Sequence, residues 1–253
     1  MNNLTSLVVD NLRAVSTRKY PVYSKILDHS FSQAPPPYSE DWFGRRYFEL
    51  ARDPEWFANS LIANSALEGY GSSQVWKFSH RMHNDEYVGA VQRHALDESR
   101  HSTMFVSMFN LTFPGLEVDR ATRERINDQQ PRYSPTNLPP GERLDQDSRM
   151  TEGETFNELV GIHLTEIRAL VLQYLLRPVI EVYAPEKFRK RIKMFSSSLI
   201  RDEAKHIDYT ARIFEAAAAA GHTDQLAYLF ELRVKDFNDV TMLELEREKQ
   251  MGI

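Results

Sequence analysis

Cysteine is absent from the 253-residue chain. That removes disulfides, thiolate metal sites and cysteine nucleophiles together, and leaves any bound metal to histidine and carboxylate side chains. Glycine is scarce, at 10 residues, and neither a Gly-rich phosphate loop nor strand-period alternation is present. The opening "MNNLTSLVVDNLRAV" has no basic region ahead of an apolar run, so no signal peptide is expected. No apolar run is read as approaching the roughly 20 residues of a membrane helix. The formal net charge of −5 is read as spread without a basic block, which argues against nucleic acid and anionic membrane as partners. With 42% hydrophobic and 26% charged residues, a globular, cytoplasmic protein with a sizeable core is the expectation.

What is present is helix-forming sequence nearly throughout, rich in Leu, Ala, Glu, Arg and Met. A short amphipathic helix is expected over 4–17. The stretch "SQAPPPYSED" (32–41) breaks the chain, and a helix follows through "WFGRRYFELA". Long helices are expected over 55–80 and 85–110, joined by "RMHND", a connection short enough to make them antiparallel neighbours. A polar span over 111–150 carries five prolines, with "EVDRATRERIN" as a possible short helix inside it. A third long helix is expected over 152–183. The turn "APEK" leads into a fourth that Gly221 stops, and a last helix covers 223–249. Two long hairpins joined by one long connection make an all-α, ferritin-like four-helix bundle with additional N-terminal and C-terminal helices. The chain is expected to be a single domain over 1–253, with a bundle core of about 55–220 and the crossover at about 111–150.

The chemistry-bearing signal is a hexapeptide that occurs twice. "LDESRH" (96–101) and "RDEAKH" (201–206) both contain Asp-Glu-x-x-His. Three-residue spacing puts Glu98 and His101 on one helix face, and likewise Glu203 and His206. A carboxylate and an imidazole on one face form half a site for a transition metal, and two half-sites make room for two ions. The remaining two carboxylates come from the partner helices. Glu68 and Glu98 are equidistant from the turn near His83, and Glu166 and Glu203 nearly so from the turn near Ala184. Glu158, the competitor of Glu166, sits about two turns too far along, and Glu55 is too distant to replace Glu68. With eight histidines among 253 residues, one Asp-Glu-x-x-His is expected about 0.04 times by composition, so a pair is not a chance event.

This arrangement resembles the ferritin-like di-iron carboxylate oxidases and oxygenases: multicomponent monooxygenase hydroxylases, soluble acyl-carrier desaturases, ribonucleotide reductase small subunits and arylamine N-oxygenases. The likeness covers about 55–221. It implies that Glu68, Glu98, His101, Glu166, Glu203 and His206 hold two iron ions, with Glu98 and Glu203 as bridges, and manganese is possible in one position. It also implies that Asp97 and Asp202 support the ligand histidine of the opposite motif, since a ligating imidazole usually gives its other N–H to a carboxylate. His94, four before Glu98, and His163, three before Glu166, are candidate extra ligands. The chain departs from the pattern at two places. The N-oxygenases carry a histidine four before the last motif's glutamate, where this sequence has Leu199, and the threonine that several relatives place four after the third glutamate is Leu170 here.

The chemistry the resemblance implies is O2 activation for hydroxylation, N-oxygenation or desaturation of a small organic substrate. A ferritin-like iron-oxidising storage or detoxification protein is the alternative. Leu61, Phe105, Met108, Ile162 and Leu170 are placed to line a dry cavity, with plain core as their competing role; Tyr70 and Tyr209 lie close to ligands in sequence. An electron donor (ferredoxin or flavin reductase) and a homodimer complete the expectation.

Overall fold

The computed structural model describes residues 4–116 and 149–250, with side chains through 247. Among the described residues the regular elements are helices: α1 (Leu4–Val15), α2 (Pro21–Gln33), α3 (Asp41–Leu50), α4 (Pro54–Ser79), α5 (Asp85–Thr112), α6 (Glu152–Tyr183), α7 (Glu186–Ala217) and α8 (Thr223–Gln250). One 3-10 turn (Pro37–Ser39) and one π turn (Ala218–His222) complete them. The chain is an all-α bundle. Most of the crossover, including the helix expected in "EVDRATRERIN", lies outside the described residues. The residues gather into two compact units, one of Met1–Arg52, Phe156–Pro178 and Ser197–Ile253, the other of Asp53–Thr155 and Val179–Ser196.

The second unit is built on the α4–α5 hairpin. Asp53 caps α4 by accepting from the Glu55 amide, ahead of Pro54 in the first turn, and Asn84 caps α5 by accepting from the Glu86 amide. Small residues let the helices approach: Ser65 Oγ donates to the Ser102 carbonyl (2.9 Å) and Ser72 Oγ to the Ala95 carbonyl (2.6 Å). Seven residues forward on α4 answer to seven back on α5, so the pair is antiparallel and Glu68 lies opposite the turn that holds Glu98. Phe57, Leu61, Val91, Ala95, Phe105 and Met108 fill the interface with fully buried side chains. Phe57, Phe113 and the end of α6, at Tyr183, close one end in an aromatic cluster.

The first unit joins α1, α2, α3 and α8 to the central part of α6 and the second half of α7. Helix α2 was not expected from sequence, although Pro21 at a helix start was the available signal. It buries Tyr23, Ile26, Leu27, Ser30 and Phe31 at helical spacing. Its orphan N-terminal amides are satisfied from α7: Glu215 Oε2 accepts from Val22 N (3.1 Å) and Tyr23 N (3.0 Å). Just beyond that same end of α7, in the π turn, Gly221 takes φ of 99°, a conformation that favours glycine, and turns the chain into α8.

Two expectations are corrected here. Helix α6 is long and apolar enough, by length and composition alone, to cross a membrane. Of its most apolar stretch 61% is buried inside the structure, and burial on most sides accounts for a helix that is apolar most of the way round. The charge is not evenly spread either: "KFRKRIK" (187–193), at the start of α7, carries five basic residues in seven.

Candidate metal centre

Each unit carries one half-site. In the second unit α4 supplies Glu68, half-buried, and α5 supplies His94, Glu98 and His101, all buried. Glu68, Glu98 and His101 offer ligand atoms that all lie within 4.8 Å of one another. Oε1 of Glu98 is 3.2 Å from Nε2 of His94 and 3.6 Å from Nδ1 of His101. Spacings of three and four residues put both imidazoles on the glutamate's face.

In the first unit Glu166 on α6 meets Glu203 and His206 on α7. Nδ1 of His206 lies 3.1 Å from Oε2 of Glu166 and 3.4 Å from Oε2 of Glu203. All three residues are at most 5% exposed. The helices run antiparallel here as well, because His163 meets Thr210 while Glu166, one turn on, meets His206, one turn back. The carboxylate at His206 is thus Glu166; Glu158 is half-buried two turns away.

The two candidate extra histidines differ. His94 faces Glu98. His163 is held at both ring nitrogens, with Tyr23 Oη 2.8 Å from Nε2 and Thr210 Oγ1 2.7 Å from Nδ1. Thr210 Oγ1 also donates to the carbonyls of His206 and Ile207. Its hydroxyl proton is therefore spent on those carbonyls, so Nδ1 of His163 carries the proton and Nε2 accepts from Tyr23. Burial pushes the His163 pKa down to about 3, against the opposing pull of Glu166, so the ring is neutral. With both nitrogens engaged, His163 is a packed, hydrogen-bonded histidine in an aromatic cluster with Tyr23, Phe214 and Phe230.

The paired aspartates share a partner type. Asp97 Oδ1 is 2.9 Å from Arg100 and Asp202 Oδ1 is 2.8 Å from Lys205, each a cation three residues on. Asp202 also accepts from Ser198 Oγ (3.2 Å). Their settings differ, with 30% of the Asp97 side chain exposed against 5% for Asp202. Of the expected cavity residues, Leu61, Phe105, Met108 and Leu170 are fully buried and Ile162 half-buried. Tyr70 is exposed and Tyr209 buried. Tyr23, Thr210, Arg100 and Lys205 were not singled out from sequence. The repeated basic residue before each motif histidine was a usable signal for the last two.

Buried carboxylates with imidazole neighbours are costly unless a cation or hydrogen bonds compensate them, by several kcal/mol per ion. Oxygen and imidazole donors without sulfur suit iron or manganese. A buried His/Glu cluster of this donor chemistry on a helical bundle can hold a metal ion, and it fits a di-iron site. Comparison with protein-family models, with curated proteins and with solved structures finds no match.

Proposed function

We propose that this is an O2-dependent non-heme di-iron oxygenase or oxidase of the ferritin-like carboxylate class, acting on a small organic molecule by hydroxylation, N-oxygenation or desaturation. The observation that carries the proposal is the duplication: each unit gathers glutamates from two antiparallel helices around a buried motif histidine. In this proposal Glu68, Glu98 and His101 of one unit and Glu166, Glu203 and His206 of the other would hold the ions, with His94 as an added donor. Iron bound there supplies the change of oxidation state that O2 activation requires. The four carboxylates nearly neutralise a ferrous pair and favour its oxidised forms. Leu61, Phe105, Met108 and Leu170 are fully buried, and in this proposal they keep the surroundings of the ions dry.

Inserting one oxygen atom into a C–H or N–H bond, with the other leaving as water, consumes two electrons and two protons per O2. A chain with no cysteine holds no iron–sulfur cluster or redox dithiol, so the electrons come from a separate ferredoxin or flavin reductase. A homodimer in the cytoplasm is the assembly and place that suit this role.

Anaerobic loading with ferrous salt tests the proposal, with iron counted per chain and the loaded protein then mixed rapidly with O2. Uptake of about two irons and an optical transient on mixing are expected. A protein that takes up no iron, or whose iron is inert to O2, sinks it. A cage-forming multimer in a size measurement favours iron storage instead.

A further inference from the structure

Helix α7 begins with Lys187, Arg189, Lys190, Arg191 and Lys193, all exposed. The opposite side of these turns faces the protein, where Ile192 is fully buried and Phe188 and Phe195 half-buried. Lys187 lies over the Phe188 ring at 4.8 Å and Arg191 over Phe195 at 5.6 Å, so the aliphatic stems lean on aromatic surface while the charges face outward. Among the described residues none of the five makes an ion pair.

The placement runs against helix electrostatics. A helix N-terminus is the positive end of its dipole and disfavours cations, which belong in the last turn. In α7 the first turn holds Lys187 and Arg189 beside Glu186, Lys190, Arg191 and Lys193 follow in the next turn, and the last turn holds no cation. The net charge of the chain is −5, so the patch also opposes the sign of the whole molecule. A local arrangement that contradicts both preferences marks a surface kept for recognition.

Met194, 65% exposed, lies within the basic arc, and Val182, 77% exposed, is in the last turn of the preceding helix. A methionine among cations matches the composition of a protein contact, in which Met and Arg are enriched. The basic stretch covers seven residues, about 10 Å of helix. That suits a redox encounter, which buries little area and relies on charge for its rate. The aromatic rings lie beneath the cations, leaving no exposed stacking platform for bases, and two exposed apolar side chains are few for insertion into lipid.

We propose that this basic face of α7, Lys187, Lys190, Arg191 and Lys193 around Met194, is the docking surface for an acidic electron-donor protein. The inference rests on the oxidase reading above, which requires an external donor.

The test compares the iron-loaded wild-type chain with Lys190→Glu/Lys193→Glu, using a reduced acidic plant-type ferredoxin as probe and dithionite as a donor that needs no docking. Reduction by ferredoxin is expected to be about tenfold slower in the variant at low salt, and wild-type reduction to slow as salt rises. Dithionite should reduce both proteins alike, which shows the iron site intact. Equal ferredoxin rates in the two proteins overturn the docking surface while leaving the oxidase reading standing; failure of both donors to reduce either protein removes the oxidase reading and the proposal with it. Sedimentation with phosphatidylserine-containing vesicles, or with duplex DNA, that is lost in the variant while the ferredoxin rate is unchanged assigns the face to that polyanion and overturns the proposal.

Discussion

The two half-sites begin from nearly the same hexapeptide and end in different surroundings. Around Glu98 a second histidine, His94, closes to 3.2 Å, and the motif aspartate is part-exposed beside Arg100. Around Glu203 the second histidine, His163, bonds to Tyr23 and Thr210, and the motif aspartate is buried. The difference comes from a helix that only one of them has: α2 brings Tyr23 to the first unit. Spacing decides which residues share a face, and the neighbouring element decides what each is free to do.

Removing a motif glutamate should have the largest effect. Glu98→Ala or Glu203→Ala is expected to abolish binding of about two irons per chain with helical circular dichroism retained; two irons still bound to either variant breaks the symmetry drawn between the half-sites. Replacing the unlike histidines sharpens the contrast. His94→Ala should weaken iron binding about 10- to 100-fold in a competition titration. His163→Ala should spare iron affinity more but lower unfolding stability by about 3 kcal/mol, because it opens a cavity and strands the buried Tyr23 hydroxyl. Comparable iron loss in the two variants would show that their roles are alike.

The pH dependence follows from His163. Its pKa falls from 6.5 unfolded to about 3 folded, so the unfolded chain binds the extra proton between those values and stability drops as pH falls through that window. About 2 kcal/mol of the metal-free protein's stability is expected to be lost between pH 6 and 4.5, measured by urea unfolding, and His163→Phe should flatten that part of the curve. Tyr23→Phe should cost about 1–2 kcal/mol by leaving Nε2 of His163 without its donor. The smallest contrast is between the aspartates: Asp202→Asn is expected to destabilise by about 1 kcal/mol and Asp97→Asn by less than about 0.5, since an exposed ion pair contributes little.

Much of this was legible from residue spacing. Equal distance from the turn selects Glu166 over Glu158 and pairs Glu68 with Glu98, because antiparallel helices of constant rise bring such residues to one height. Helix α6 begins and ends where Thr151 and Ala184–Pro185 indicate, with a capping box between Thr151 and Glu154 at its start. Three things escaped. Helix α2 sits directly before the proline-rich break, and its short apolar pattern carries no motif. The fate of His163 depends on residues 140 positions before it and 47 after, a tertiary matter that spacing does not encode. The basic stretch at 187–193 was visible but hidden within a net negative total.

The grip of Glu215 on the first turn of α2 has a practical consequence for anyone cutting the chain down. A fragment starting at Asp41 would shed Tyr23, bare the rings of Phe214 and Phe230, and leave an imidazole without its donor three residues from Glu166. The long helices are therefore not a self-sufficient minimal protein, and the first forty residues belong to the interior as much as to the periphery.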